Sequence, residues 1–248
     1  MLNSMKILNL GCGSKTSPHP AVTNIDWSIL LRIKLNPVLR FFAPYILNDY
    51  RVDRFNALSN NIIAHDLSKG IPFPDASVDV VYHSHMLEHL DREVAELFLR
   101  EIFRVLIPGG ILRVVVPDFE LVCREYIASI DACARGENGS IDRHDATVEP
   151  VLLASVRRES HGTSQQKPFR RFIENRLLGD ARRRGDTHQW MYDRFNLTSL
   201  VHRCGYHKVV VQSFDTSLIP QWAEIGLDRN GTGGEYKPGS VYIEAIKT

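Results

Sequence analysis

Five short apolar runs, at residues 6–10, 23–26, 61–65, 78–84 and 111–116, constrain this chain more than any other feature of its sequence. Each is mostly apolar with turn residues at its ends, the pattern of strands buried on both faces of a parallel sheet. Helical patterns alternate with them. Over 92–106, Val94, Leu97, Phe98, Ile102, Val105 and Leu106 fall on one broad face, with Asp91 placed as the cap. Pro108-Gly109-Gly110 then stops that helix and turns the chain into the next strand. A second helix is predicted over 196–204, capped by Asn196 and ended by Gly205. Two final strands, 208–214 and 240–247, have no helix between them, only a loop with Pro220, Gly226 and the turn-rich 230–234. The last strand is therefore expected to run antiparallel. The fold class that follows is α/β: a doubly wound, mostly parallel seven-stranded sheet with an antiparallel last strand and helical inserts. One domain over 1–248 is expected, with inserts at 27–60 and 119–193 building the substrate side.

The first loop carries the ligand chemistry. A strand runs through Leu10 straight into Gly11-Cys12-Gly13, and Asp26 closes the next strand after Asn24-Ile25. Glycine takes positive φ and lets a ligand approach with no Cβ in the way. A carboxylate at the second strand end accepts from both hydroxyls of a ribose. The pair reads as a nucleoside-binding edge, and dinucleotides are one alternative. Against them, the third fingerprint position holds Thr16 and not glycine or alanine. Lys+Arg 30 against Asp+Glu 29 leaves a net charge of +1, so no overall field points to nucleic acid. Between Arg157 and Arg184, nine Lys/Arg face three Asp/Glu; this stretch is either a site for an anionic substrate or a solvated face. The four cysteines form no CxxC pair, which suits reduced thiols in the cytoplasm. The first strand begins within a few residues of Met1, so no signal peptide is expected. No apolar run approaches the roughly 20 residues of a membrane span.

The order of motifs resembles that of class I S-adenosylmethionine-dependent methyltransferases. The resembling features are Leu10-Gly11-Cys12-Gly13, Asn24-Ile25-Asp26, His65-Asp66-Leu67, the Ile71 to Asp75 turn ahead of Ser77, Met86-Leu87-Glu88-His89, and Pro108-Gly109-Gly110. Ser84-His85-Met86, Val116-Pro117-Asp118, His188-Gln189-Trp190-Met191-Tyr192 and the run from Gly239 to Ala245 resemble a bacterial group of predicted methyltransferases. That group is associated with cell-surface polysaccharide synthesis. The resemblance implies S-adenosyl-L-methionine as cofactor, bound by Leu10, Gly11, Cys12, Gly13, Asp26, Asp66, Leu67, Ser84 and His85. Asp26 would take the ribose, Asp66 the adenine amino group, and the backbone of Ser84 and His85 the methionine part. Where relatives often carry an acid in the first strand and a third glycine in the loop, this chain has Asn9 and Lys15.

Methyl transfer from a sulfonium needs chiefly in-line alignment. An oxygen or nitrogen acceptor also needs its proton removed, and His85, His89, Asp118 and His188 are the candidate bases. His85, Glu88, His89 and His188 have the donor types of a borderline metal ion, but a Glu-His pair is common in metal-free relatives, and the site is read without a metal. The fourth strand ends in Ser84-His85-Met86 and not in an Asp/Asn-Pro-Pro-Tyr pattern, which favours an oxygen acceptor. The expected function is methyl transfer to a hydroxyl of a glycan, nucleotide-sugar or related small molecule. An NAD(P)-dependent Rossmann oxidoreductase and a non-catalytic S-adenosylmethionine-binding module are the alternatives.

Overall fold

The computed structural model describes residues 5–47, 49–155 and 187–248. Its strands are β1 (Ile7–Leu10), β2 (Val22–Asp26), β3 (Ile62–Ala64), β4 (Val78–Ser84), β5 (Leu106–Pro117), β6 (Lys208–Gln212) and β7 (Ser240–Ile246). The helices are α1 (Ile29–Leu35), α2 (Pro37–Ile46), α3 (Asp49–Ala57), α4 (Arg92–Val105), α5 (Phe119–Ala134), α6 (Ser140–Ala154), α7 (Arg194–Arg203) and α8 (Trp222–Ile225). One seven-stranded sheet has the order β3-β2-β1-β4-β5-β7-β6. The strands from β3 across to β5 pair in parallel, and β7 runs antiparallel to both β5 and β6. The expected last strand is therefore present, wedged between its neighbours.

Side chains alternate between two cores, as a period of two requires. Leu112, Val114 and Val116 of β5 and Val241, Ile243 and Ala245 of β7 face one way, onto Leu99 and Ile102 of α4 and Leu197 and Val201 of α7. Ile7, Val80, Tyr82, Val115 and Tyr242 face the other way, onto Ile219, Trp222, Ile225 and Leu227. That second layer is a strap of irregular chain, residues 213–228, with only the short α8 in it. The loop expected between the last strands is thus partly helical, and it covers the sheet in place of a long helix.

Three further details differ from the sequence reading. Residues 11–21, which join β1 to β2, contain no helix. Asn196 is not the cap of α7: Asp193 is, its Oδ1 accepting from the N–H groups of Phe195 (2.7 Å) and Asn196 (2.9 Å). Asn196 sits three residues on and accepts from the Asp193 N–H at 3.1 Å, a reciprocal capping box that defines the start of the helix one turn earlier. Pro108-Gly109-Gly110 lies inside β5, not ahead of it, where the pairing with β4 shifts register between Val78 and Val80. Gly110 is required there, since a Cβ would meet the carbonyl oxygens of Ile107 at 2.9 Å and Asp79 at 3.0 Å.

Candidate cofactor and acceptor site

Gly11 and Gly13 both take positive φ, +62° and +51°. They differ in surroundings: a Cβ on Gly11 would meet Sδ of Met86 at 2.6 Å, whereas a Cβ on Gly13 would meet nothing within 4 Å. Gly11 is thus required for packing, and Gly13 leaves an open backbone face. With no helix after the turn, side chains hold the loop. Asn9 is buried and its Nδ2 donates to Lys15 O and Asn24 Oδ1, each at 2.9 Å. Asn24 Nδ2 donates to Ser17 O at 3.0 Å, and Ser17 Oγ to Ile225 O at 2.9 Å. Lys15 Nζ donates to Arg229 O at 2.5 Å and lies 4.5 Å from the Tyr236 ring centre. Burial pulls the Lys15 ammonium down, while Asp228 opposes that. Asn9 and Lys15, the two departures from the usual pattern, are therefore the ties of this loop. Cys12 is buried beside it, its N–H on Ile25 O at 3.2 Å, and burial followed by the Asp26 charge pushes the thiol far up. That thiol is inert at neutral pH.

Asp26 ends β2, 7% exposed, with Oδ2 accepting from the Ser28 N–H at 3.2 Å. Among the described residues its Oδ1 takes no hydrogen bond, which leaves an acceptor at the sheet edge. Asp66 has a structural duty: its Oδ1 accepts from Ser68 N (3.1 Å) and Ser68 Oγ (2.7 Å), capping the short 3-10 turn Leu67–Lys69. The Ser68 hydroxyl holds the Asp66 carboxyl below its ordinary range.

At the end of β4 the chain passes Ser84 and enters a left-handed residue, His85, at φ +50°. Only a surrounding that over-determines it keeps a non-glycine there. The His85 N–H bonds Val115 O at 2.9 Å and its Nε2 meets Ser240 Oγ at 2.8 Å. Ser240 donates its own proton to Lys237 O, so Nε2 carries the hydrogen and Nδ1 the lone pair. Nδ1 faces Oε1 of Glu88 at 3.5 Å. Burial, then nearby positive charge, pulls His85 down to about 3, and it is neutral at physiological pH. Glu88 is 1% exposed and neither carboxyl oxygen has a hydrogen-bond partner among the described residues. Burial pushes it up to about 8.

The segment after residue 186 closes over this turn. Gln189 N–H donates to Glu88 O at 2.6 Å, and this delivers His188 to the site. His89 Nδ1 lies 3.2 Å from Thr187 O, and His188 Nδ1 lies 3.3 Å from Ala154 O. A carbonyl only accepts, so each Nδ1 carries a hydrogen, and in the neutral ring the lone pair falls on Nε2. The two rings are 5.0 Å apart, and Glu88, His89 and His188 offer one ligand atom each within 4.8 Å of one another. These three could hold a metal ion. Glu88 and His188, with Pro117, Phe119, Trp190 and Tyr192, line a pocket. Asp118 stands at its rim with its carboxylate engaged: Oδ1 caps α5, accepting from Glu120 N (3.0 Å) and Leu121 N (3.3 Å). Of the four candidate bases, the fold gathers His85, His89 and His188 around Glu88, and it occupies Asp118 elsewhere. The basic stretch between Arg157 and Arg184 lies outside the described residues.

One functional support went unread in the sequence. Arg113 is fully buried, with Nε on Asp228 Oδ2 at 2.7 Å and Nη1 on Glu244 Oε1 at 2.6 Å. Arg113 also donates to Thr216 O and Ser213 O, and Asp228 accepts from Tyr82 Oη and Trp222 Nε1. This network pins the strap to the sheet. Its signal was present: an arginine and a glutamate at the centres of two apolar strand runs.

The strand order with its antiparallel β7 is that of a Rossmann-like methyltransferase fold. Residues 8–114 match the family model described as a methyltransferase domain. A protein described as "Probable S-adenosylmethionine-dependent methyltransferase", from Mycolicibacterium smegmatis, is 45% identical over 56 residues, 23% of this chain. That match spans about a fifth (21%) of the relative's own length. Among solved structures, a SAM-dependent methyltransferase from Archaeoglobus fulgidus is 13% identical at a TM-score of 0.43, covering 99% of this chain and 88% of that one. A DhpI complex with SAH is 13% identical at a TM-score of 0.45, covering 98% and 76%. Residues 8–114 are therefore similar to a methyltransferase domain, and the likeness points to S-adenosylmethionine as the cofactor of that domain.

Proposed function

We propose that this protein transfers a methyl group from S-adenosylmethionine to a hydroxyl of a glycan, nucleotide-sugar or related small molecule. The observation that carries the reading is the placing of two groups on one edge of the parallel strands. Asp26 ends β2 with a spare oxygen, and the His85–Glu88–His89–His188 cluster follows the end of β4 beside a pocket. Ligands of open α/β sheets bind at that edge. The glycine turn would seat the cofactor, with Asp26 on its ribose and the strand ends at Ser84 and His85 beside its methionine part. The acceptor would enter over Trp190 and Tyr192, with residues 27–60 and the described parts of 119–193 shaping its side.

The chemistry asked of the protein is modest. The sulfonium is already an activated methyl donor, and holding the acceptor oxygen in line with methyl and sulfur supplies most of the rate. Nε2 of His89 or His188 is the proton acceptor with its lone pair already set by the far-side carbonyl. His85, neutral and held between Ser240 and Glu88, positions Glu88. The missing helix after Gly13 argues against the oxidoreductase reading, since a dinucleotide pyrophosphate rests on that helix N-terminus.

The buried, unbonded carboxyl group of Glu88 favours a second role for the trio, holding a divalent cation that would displace its proton and lower the acceptor pKa in place of a histidine base. The experiment is a calorimetric titration with S-adenosylhomocysteine, followed by tritiated methyl transfer over a panel of glycans and nucleotide-sugars, with and without chelator. Binding that Asp26→Ala abolishes, with label reaching a hydroxyl acceptor, is expected. No binding at millimolar ligand overturns the reading. Binding without turnover across the panel returns the chain to a non-catalytic module. Loss of turnover on chelation, restored by zinc or magnesium, assigns the trio to a cation.

A further inference from the structure

We propose that the outward face of α2 docks on an anionic lipid bilayer. On this helix the usual amphipathic order is inverted. Val38, Phe41, Phe42 and Tyr45 stand at i, i+3, i+4 and i+7, a single stripe, and are 65, 71, 47 and 83% exposed. Ala43, on the side turned away from that stripe, is 1% exposed. The helix thus rests on the protein through a small residue and holds its aromatic side chains in solvent. Leu35 at the end of α1 (59% exposed) and Trp27 before it (41% exposed) are further large apolar side chains in solvent within the same stretch of chain. A contiguous apolar stripe like that of α2 marks an interaction site.

Charge selects the partner. Between Asp26 and Asp49 there is no acidic residue, while Arg32, Lys34 and Arg40 are present; the Lys34 ammonium is turned to the Leu58 carbonyl, which leaves Arg32 and Arg40 as the surface cations. Arg32 lies over the exposed Trp27 ring, 5.1 Å from its centre, which holds a cation beside an aromatic of the kind that sits at a bilayer interface. A second copy meeting this face about a two-fold axis would bring these cations against their own likes. An anionic bilayer meets both features at once: phenylalanine and leucine enter the headgroup boundary, tyrosine sits at the interface, and the bases meet phosphate. The proposal does not depend on methyl transfer.

The test is centrifugal co-sedimentation of the full chain with vesicles of phosphatidylcholine alone or with one quarter phosphatidylglycerol, at low and high salt. The chain is expected to pellet with the acidic vesicles and to be released by salt. The triple variant Phe41→Ser/Phe42→Ser/Tyr45→Ser is expected to lose partitioning at least about tenfold, and Arg40→Gln about fivefold. Unchanged S-adenosylhomocysteine binding shows that each variant is folded. The single change Phe41→Ser stands in if the triple variant is not. No pelleting of the wild-type chain with acidic vesicles overturns the proposal, as does equal pelleting of wild type and a folded variant. A wild-type dimer that the triple variant splits, with no vesicle binding, gives the face to a second copy instead.

Discussion

At the scale of single residues, the two glycines of the first turn separate packing from binding. Gly11→Ala drives a Cβ into Met86 and imposes strain at φ +62°, so a stability loss well above 1 kcal/mol is expected. Gly13→Ala meets open space and costs about 1 kcal/mol of backbone strain alone. Its effect on S-adenosylhomocysteine affinity should be larger, about tenfold, because the Cβ fills the face where the cofactor would pass. Urea melts and calorimetry on the same samples decide it, and unchanged affinity in Gly13→Ala would remove the turn from the cofactor site. Glu88 gives a second prediction. Burial lifts its carboxyl from the ordinary 4.5 to about 8, so the folded chain keeps a proton that the unfolded chain loses in that interval. The Glu88 contribution to stability therefore falls as pH rises from 4.5 to 8. His85, pulled down from 6.5 to about 3, acts in the opposite sense, adding stability as pH rises over its own interval. Above pH 6.5 that opposition is spent, and the Glu88 loss stands uncovered at about 2 kcal/mol up to pH 8. Glu88→Gln should flatten the urea midpoint across this range. Gly11, Gly13, Asp26, His85 and His89 stand out in the sequence as candidates because each follows a strand end, whereas His188 has only its motif to mark it. Their partners do not, since Ser240, Thr187 and Ala154 reach the site only through the fold.

At the scale of elements, the apolar runs located the strands of the described residues, β5 with its start five residues late, because a central strand buried on both faces leaves little latitude for polar side chains; the edge strands β3 and β6 are only part-buried. Helix ends were less legible. Asn196 and Asp193 are both capping residue types, and three-residue spacing makes either a plausible start. Only the reciprocal bonds identify Asp193 as the cap. Asp193→Ala should therefore cost about 1 kcal/mol in urea melts, and Asn196→Ala less, since the first strips the helix's own leading N–H groups of their acceptor while the second gives up bonds to Asp193 N and Met191 O outside the helix. The reverse order would restore the later start. The unhelical link from β1 to β2 was illegible for a different reason. What replaces the missing helix, the 213–228 strap, lies some two hundred residues away in the chain.

At the scale of the whole molecule, the strap couples the buried charge network to the first loop. Asp228 binds Arg113, Tyr82 and Trp222, while its neighbours in the chain, Ile225 and Arg229, hold Ser17 and Lys15 through their carbonyl oxygens. A cation at the centre of a sheet is costly to bury, and it is kept here because two carboxylates and two carbonyls surround it. Arg113→Leu would leave Asp228 and Glu244 buried without their cation, and a loss of about 3–5 kcal/mol is expected. The loss should not stop at stability. With Asp228 repelled from the core, the carbonyls that tie Ser17 and Lys15 shift, and S-adenosylhomocysteine affinity should fall even where the variant is still folded. Lys15→Met is the comparison: it removes the same loop tie from the other end and leaves the network whole. It should weaken cofactor binding while sparing most of the stability, so the two variants share the binding defect and differ in the urea midpoint. If Arg113→Leu, held folded at low temperature, binds S-adenosylhomocysteine as the wild type does, the strap is a cover for the sheet and not a brace for the cofactor loop.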